Sequence, residues 1–175
     1  MKKGSNTILE DHGDWLEIDI STPKHPNTTM KMDKSDYELF RSYDCGRIYA
    51  WRDGKKNMYA RSKSPEGVVL RVHKMIRPNW TTIDHINGDG IDNRSENLRE
   101  CTQQQNSFNS RLKSTNKTGY AGVHQLPSGT WEARIMHNYK ITIIGYFKEK
   151  ADAIKARVEK ELELFGEHSF LNRPQ

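Results

Sequence analysis

The 175-residue sequence holds two cysteines, Cys45 and Cys101, far apart and in no C-x-x-C pair, so neither a zinc ribbon nor a disulfide framework has support and both read as packing residues. Long apolar runs are also missing. Hydrophobic residues make up 34% of the chain, and no stretch approaches the roughly 18 consecutive apolar residues of a membrane span, so no membrane partner is expected. Met1-Lys2-Lys3-Gly4-Ser5-Asn6 leads into acidic residues rather than an apolar segment, so no signal peptide is expected and residence is expected to be cytoplasmic. The length allows one ordinary core or two small ones, and cores below about 70–80 residues are marginal. Compact modules that lean on each other or on a partner follow.

The charge is unevenly placed. The net charge is +5, yet the first thirty residues carry three basic against five acidic side chains. Between Arg47 and Arg77 nine basic residues face only Asp53 and Glu66, in a stretch that also holds Tyr49, Trp51 and Tyr59. Basic side chains release condensed counterions when they neutralise a nucleic-acid backbone, so Arg47, Arg52, Lys55, Lys56 and Arg61 are candidate DNA contacts. A solvated basic face is the plain alternative.

Residues 1–30 mix Pro23, Pro26, Asn27, Thr28 and Thr29 with acids and read as an extended or disordered arm. Arg47–Trp51 and Met58–Arg61 read as two strands of a hairpin, with Asp53-Gly54 supplying turn chemistry. Val68–Leu70 is a third strand candidate, leading to a short helix at Val72–Ile76 that Pro78 must end. Thr82–Ile86 and Leu98–Cys101 read as strands around an eleven-residue loop, Asn87 to Asn97, and Thr102 with Gln105 has the capping-box form that opens a helix. The polar stretch 113–118 marks the expected domain boundary. Beyond it, Tyr120–Leu126, Trp131–Met136 and Lys140–Phe147 suggest a three-stranded antiparallel sheet. Ala151, Ile154, Val158, Leu162 and Phe165 recur at helical spacing, with Gly166 where a C-terminal cap belongs.

The residues that carry chemistry run from Asp84-His85-Ile86-Asn87-Gly88-Asp89 through Asp92-Asn93 and Asn97 to Asn106. Hydrolysing a phosphodiester takes an activated water and an electrostatic partner for the developing charge. Neighbours on a strand point to opposite faces, so Asp84 can face a metal while His85 faces a water. Asn106, one turn into the helix opened by Thr102, can bring its amide oxygen to the same cation. Oxygen ligands suit one Mg²⁺ or Mn²⁺ rather than zinc. Singly these residues are turn formers and a packed histidine, but turn chemistry does not explain an Asp-His pair followed by Asn at both distances. His73, alone on a short apolar helix, reads as structural.

This stretch resembles the HNH endonucleases, specifically their phage and intron-encoded homing members, in which a ββα unit carries the metal. Asn97 stands twelve positions after His85 and Asn106 nine after Asn97, as in that family. The resemblance implies that His85 is the general base, that Asp84 and Asn106 are metal ligands, and that Asn97 is the central Asn that pins the loop. Asn at the third position, where many members have His, favours a single labile Mg²⁺.

Gly119-Tyr120-Ala121-Gly122-Val123, Trp131-Glu132-Ala133-Arg134-Ile135, Ile144-Gly145-Tyr146-Phe147 and the helix from Lys148, with Leu164-Phe165-Gly166-Glu167 and Leu171-Asn172, resemble an AP2-type DNA-binding domain. That implies a sheet laid in the major groove. Ala121, His124 and Leu126 stand where plant members have arginines, leaving His124, Gln125, Trp131, Arg134 and Lys140 as candidate contacts; Trp131 is equally readable as a core residue.

The expected protein is therefore α+β: an arm (1–30), an HNH module with its basic hairpin (31–112), a linker (113–118) and an AP2-like module (119–175). It would nick one strand of double-stranded DNA, acting as monomer or dimer, in the host cytoplasm if phage-encoded. The alternative is a non-catalytic DNA-binding regulator on a degenerate nuclease fold. An RNA-directed nuclease finds no RNP motif or KH loop to support it.

Overall fold

A computed structural model describes residues 5–54, 57–108, 116, 118–138 and 140–169. The chain divides into two compact units, Met1–Thr102 and Gln103–Gln175. The 113–118 stretch expected as a linker lies mostly outside the described residues, as do Lys55 and Lys56.

The first unit begins with three antiparallel strands, β1 (Ile8–Asp11), β2 (Trp15–Asp19) and β3 (Thr29–Asp33). This corrects the expectation of an extended or disordered arm. The signal was present: Trp15-Leu16-Glu17-Ile18-Asp19-Ile20 alternates apolar and acidic positions, the period of a half-buried strand. Leu16, Ile18 and Ile20, with Met30 and Met32 opposite, are buried in the main core. The acids on the other face mask the pattern in any composition-based reading. Helix α1 (Lys34–Ser42) follows. Its burial rests on Asp36 and Phe40, too few apolar positions for its sequence to announce a helix.

Strands β4 (Tyr49–Asp53), β5 (Asn57–Lys63) and β6 (Val69–Arg71) make an antiparallel sheet, as the hairpin reading expects, and helix α2 spans Val72–Ile76. The inward face of the sheet is built from Ala50, Ala60 and Ser62, all buried. Tyr49, Trp51, Tyr59, Arg61 and Arg71 fall on the other parity. There the Arg61 guanidinium stacks 3.2 Å above the Trp51 ring and the Arg71 guanidinium lies 4.8 Å from the Tyr59 ring centre. Strands β7 (Thr82–His85) and β9 (Leu98–Cys101) pair antiparallel around the loop. Within that loop a two-residue strand, β8 (Asp92–Asn93), pairs in parallel with β3.

The second unit opens with helix α3 (Gln103–Phe108) and continues with β10 (Val123–Gln125), β11 (Trp131–His137) and β12 (Lys140–Phe147), an antiparallel sheet in that order. Helix α4 (Lys150–Phe165) packs on it over Val123, Ala133 and Ala153. The buried row of α4 is Ala153, Arg157, Glu161 and Phe165, whereas Ala151 and Leu162 are exposed, so the apolar stripe read from sequence is displaced around the helix. Charged residues can occupy the inner row because they satisfy one another: Arg157 Nη1 donates to Glu161 at 2.6 Å, and Ser169 Oγ donates to the other Glu161 oxygen at 2.6 Å. Gly122 has φ 73°, and a Cβ there would collide with the Arg134 carbonyl oxygen. Among the described residues no helix is long and apolar enough to cross a membrane.

Candidate active site

The loop between β7 and β9 is a closed hydrogen-bonded circuit. Asn97 Nδ2 donates to the Asp92 carbonyl at 2.8 Å, while Asn97 Oδ1 accepts the Asn87 N–H at 2.9 Å. A side-chain amide donates and accepts at once, and this one spans the base of the loop. The backbone continues the circuit, with Ile86 N–H donating to the Asn97 carbonyl at 2.8 Å and Gly88 N–H to that of His85 at 2.8 Å. Asp92 accepts from the Arg94 guanidinium at 2.8 and 2.9 Å and from Asn87 Nδ2 at 3.0 Å. Burial pushes the Asp92 carboxyl up, but Arg94 and Asn87 outweigh it and hold the group below its ordinary range.

The N-terminal sheet anchors this loop. Lys31 registers with Asp92 and Met32 with Asn93, and Lys31 N–H donates to the Ile91 carbonyl at 3.0 Å. Ser95 N–H donates to Asp33 at 2.9 Å. Arg77 ties two elements together, reaching both Asp36 oxygens at 2.7 and 2.8 Å and Ser95 Oγ at 2.6 Å. Gly90 lies against β5, where a Cβ would meet the Met58 carbonyl and come within 2.6 Å of the Tyr59 ring. Only glycine fits that approach.

Asp84 and His85 are both buried, at 5% and 6% exposure, and their side chains go to different partners. Asp84 registers with Arg99 across the ladder, and the Arg99 guanidinium donates to Asp84 Oδ2 through Nε at 3.0 Å and Nη2 at 2.7 Å. The His85 ring lies 5.0 Å from that of His73, edge to face, and 6.1 Å from that of Tyr59. Its Nε2 is 3.5 Å from Asn93 Oδ1. Burial pushes His85 below its ordinary value, against the pull of Asn93 and of the Asp84, Asp89 and Asp92 carboxylates. Burial, with smaller contributions from His85, Arg71 and Lys74, takes His73 down to about 3.

Sequence reading assigned no role at the site to Arg99, Asn93 or Tyr59. Arg99 was recoverable from the strand register, since it faces Asp84 once β7 and β9 are paired; Asn93, eight residues from His85 in the same loop, is aimed by its pairing with β3, and Tyr59 is brought to the ring by long-range packing. Asn106 lies on α3, in the second unit.

Within the first unit, Asp84 offers carboxylate oxygens, hard donors of the kind that suit a divalent cation such as Mg²⁺. A separate grouping, Glu10, His12 and Glu17 on the β1–β2 hairpin, places three ligand atoms within 4.8 Å of one another. Lys31 Nζ stands 3.9 Å from Glu17 there and competes with any cation.

Among the candidate DNA contacts, Arg47 and Arg52 are exposed. In the second unit the ladder sorts the rest. His124 and Arg134 fall on the open face of the sheet, together with the exposed Met136, Ile141, Ile143 and Tyr146. Gln125, Trp131 and Lys140 fall on the parity of the helix side. Trp131 packs against the Val123–Ala133–Ala153 cluster with Lys150 over its ring at 5.6 Å. Of the two readings the sequence allowed for Trp131, this is the packing one, since strand alternation places its indole on the helix side.

No solved structure matches the chain. An uncharacterised HNH endonuclease of Acanthamoeba polyphaga mimivirus is 31% identical over 99 residues, which cover 55% of this chain and 49% of that protein. The chain thus spans about half the length of the curated relative it matches. Residues 78–108, the segment that holds Asp84, His85, Asn97 and Asn106, match the HNH endonuclease family model.

Proposed function

We propose that this protein is a metal-dependent DNA endonuclease that hydrolyses one strand of duplex DNA. The observation that carries the reading is a buried imidazole, His85, held by burial below its ordinary pKa, next to the buried Asp84 carboxylate inside the segment that matches the HNH endonucleases. His85 takes a proton from water as the water oxygen bonds to phosphorus and the bond to the leaving oxygen breaks. A ring held below its ordinary pKa is uncharged at neutral pH and ready to accept. Asp84 would hold one Mg²⁺ or Mn²⁺, and Asn106 would join it as a ligand on sequence spacing alone. When bound, the ion stabilises the developing negative charge and the leaving oxygen. Asn97 fixes the loop on which His85 depends.

The second unit serves as an AP2-type DNA-holding module, its open face presenting His124 and Arg134. Arg47, Arg52 and Arg61 meet phosphates beside the nuclease unit. One metal finger per chain implies a nick, and the protein acts as monomer or dimer in a phage or homing setting.

Supercoiled plasmid incubated with Mg²⁺ should be converted to the open circle and should be spared in EDTA. His85→Ala should slow nicking by about 10²–10⁴ with DNA affinity nearly unchanged. Plasmid binding without nicking in either metal would favour the non-catalytic regulator instead.

A further inference from the structure

Two buried polar side chains converge on His85 from outside its own strand, and each carries an unmet group. Asn93 is fully buried, with Oδ1 3.5 Å from His85 Nε2 and an Nδ2 that has no hydrogen-bond partner. His73 packs edge to face on the same ring and its buried Nδ1 is likewise without a partner. A buried amide with an unmet donor bears a desolvation penalty that a leucine of similar volume would not. Structure alone therefore gives little reason for Asn at position 93.

The direction of the Asn93 side chain is fixed from the far side of the loop. Strand β8 is two residues long, and its ladder with β3 sets Asn93 against the fully buried Met32. A slip of one residue in that ladder would turn Asn93 away from the imidazole.

We infer that Asn93 is a positioning residue for His85, its carbonyl oxygen holding the ring in the tautomer protonated at Nε2. The basic lone pair is then the one on Nδ1. The inference rests on the reading of His85 as general base. As the water proton moves to Nδ1 the ring becomes imidazolium, and the Nε2–H bond to Asn93 Oδ1 strengthens with the developing charge. His73 backs the ring and restricts its rotation. The N-terminal sheet, outside the segment that matches the family, thereby becomes part of the catalytic apparatus through β3.

The test is a long-range ¹H–¹⁵N correlation spectrum of the full chain at neutral pH, with the His85 signals assigned by their loss in His85→Ala. The expected spectrum has a protonated, pyrrole-type Nε2 and a pyridine-type Nδ1. In Asn93→Leu the two nitrogens should move toward averaged shifts. The nicking kcat should fall by about 10²-fold, the usual cost of a misplaced catalytic group, with KM and Tm held or Tm raised. A proton on Nδ1 in the parent, which the reverse amide orientation demands, overturns the inference, as does an Asn93→Leu protein that keeps the parent kcat. The parent spectrum decides the tautomer even if the variant fails to fold. Should the parent cleave no DNA yet show the Nε2 proton, the endonuclease reading falls and the Asn93 assignment of the tautomer stands.

Discussion

Arg99 faces Asp84 directly across the β7–β9 ladder and donates two hydrogen bonds, at 3.0 and 2.7 Å, to a single carboxylate oxygen. The proposed metal ligand thus has a cationic partner of its own, which keeps a buried carboxylate compensated when no ion is bound. Removing one member of a buried ion pair costs about 3–5 kcal/mol because the other is left uncompensated. Arg99→Gln should therefore lose about that much stability in EDTA. Mg²⁺ or Mn²⁺ should restore more of it than the same ion adds to the parent. Urea melts of both proteins with and without metal check this; equal metal responses would remove Asp84 from the ligand set.

Asn97 uses its amide in both directions, toward the Asp92 carbonyl and the Asn87 N–H. Asn97→Asp keeps an acceptor but loses the donor, leaving the Asp92 carbonyl without its partner at a buried position. The expected loss is about 1–3 kcal/mol, with a large fall in nicking rate and little change in Mn²⁺ affinity. Calorimetric Mn²⁺ titration beside nicking kinetics separates the roles: a large loss of metal affinity would make Asn97 a ligand.

The approach of Gly90 to Met58 and Tyr59 leaves no room for a methyl group. Gly90→Ala should force the β7–β9 loop away from β5 and cost about 1–3 kcal/mol, as overpacking does. Because Tyr59 borders the His85 ring, nicking should suffer beyond the loss of folded protein. Denaturant midpoints together with the rate per folded molecule test this, and a variant as stable as the parent would show that the loop is not pinned there.

His73 has a folded pKa of about 3 against an ordinary 6.5, so the unfolded chain binds a proton at this site that the folded chain refuses. The stability it contributes is fully present above pH 6.5 and is lost as pH falls toward 3. The slope is about 1.4 kcal/mol per pH unit while only the unfolded form is protonated. His73→Phe keeps a ring and removes the titration, so its stability should fall less steeply between pH 6 and 4 than that of the parent. Parallel curves for the two proteins would show that His73 carries no such linkage.

The sequence by itself determined the local elements whose signals are short-range. Leu98–Cys101 and Lys140–Phe147 appear as strands at the bounds read from their patterning, and Val72–Ile76 as the helix that Pro78 ends. The Asp84–Asn106 spacing located the candidate site because each residue's place on strand, loop or helix follows from its neighbours. What only tertiary structure decided is what lies across from these residues. His85 meets Tyr59 and His73 through packing between separate elements, and Asn93, eight residues along the same loop, is turned toward it by the pairing with β3. No local period encodes such pairings. The alternation of residues 15–20 is legible as a half-buried strand, but what its apolar face packs on is not: Leu16, Ile18, Met30 and Met32 join a core assembled from elements across the first unit. The parallel pairing of β3 with Asp92–Asn93 joins segments some sixty positions apart, and only the folded chain brings them into register.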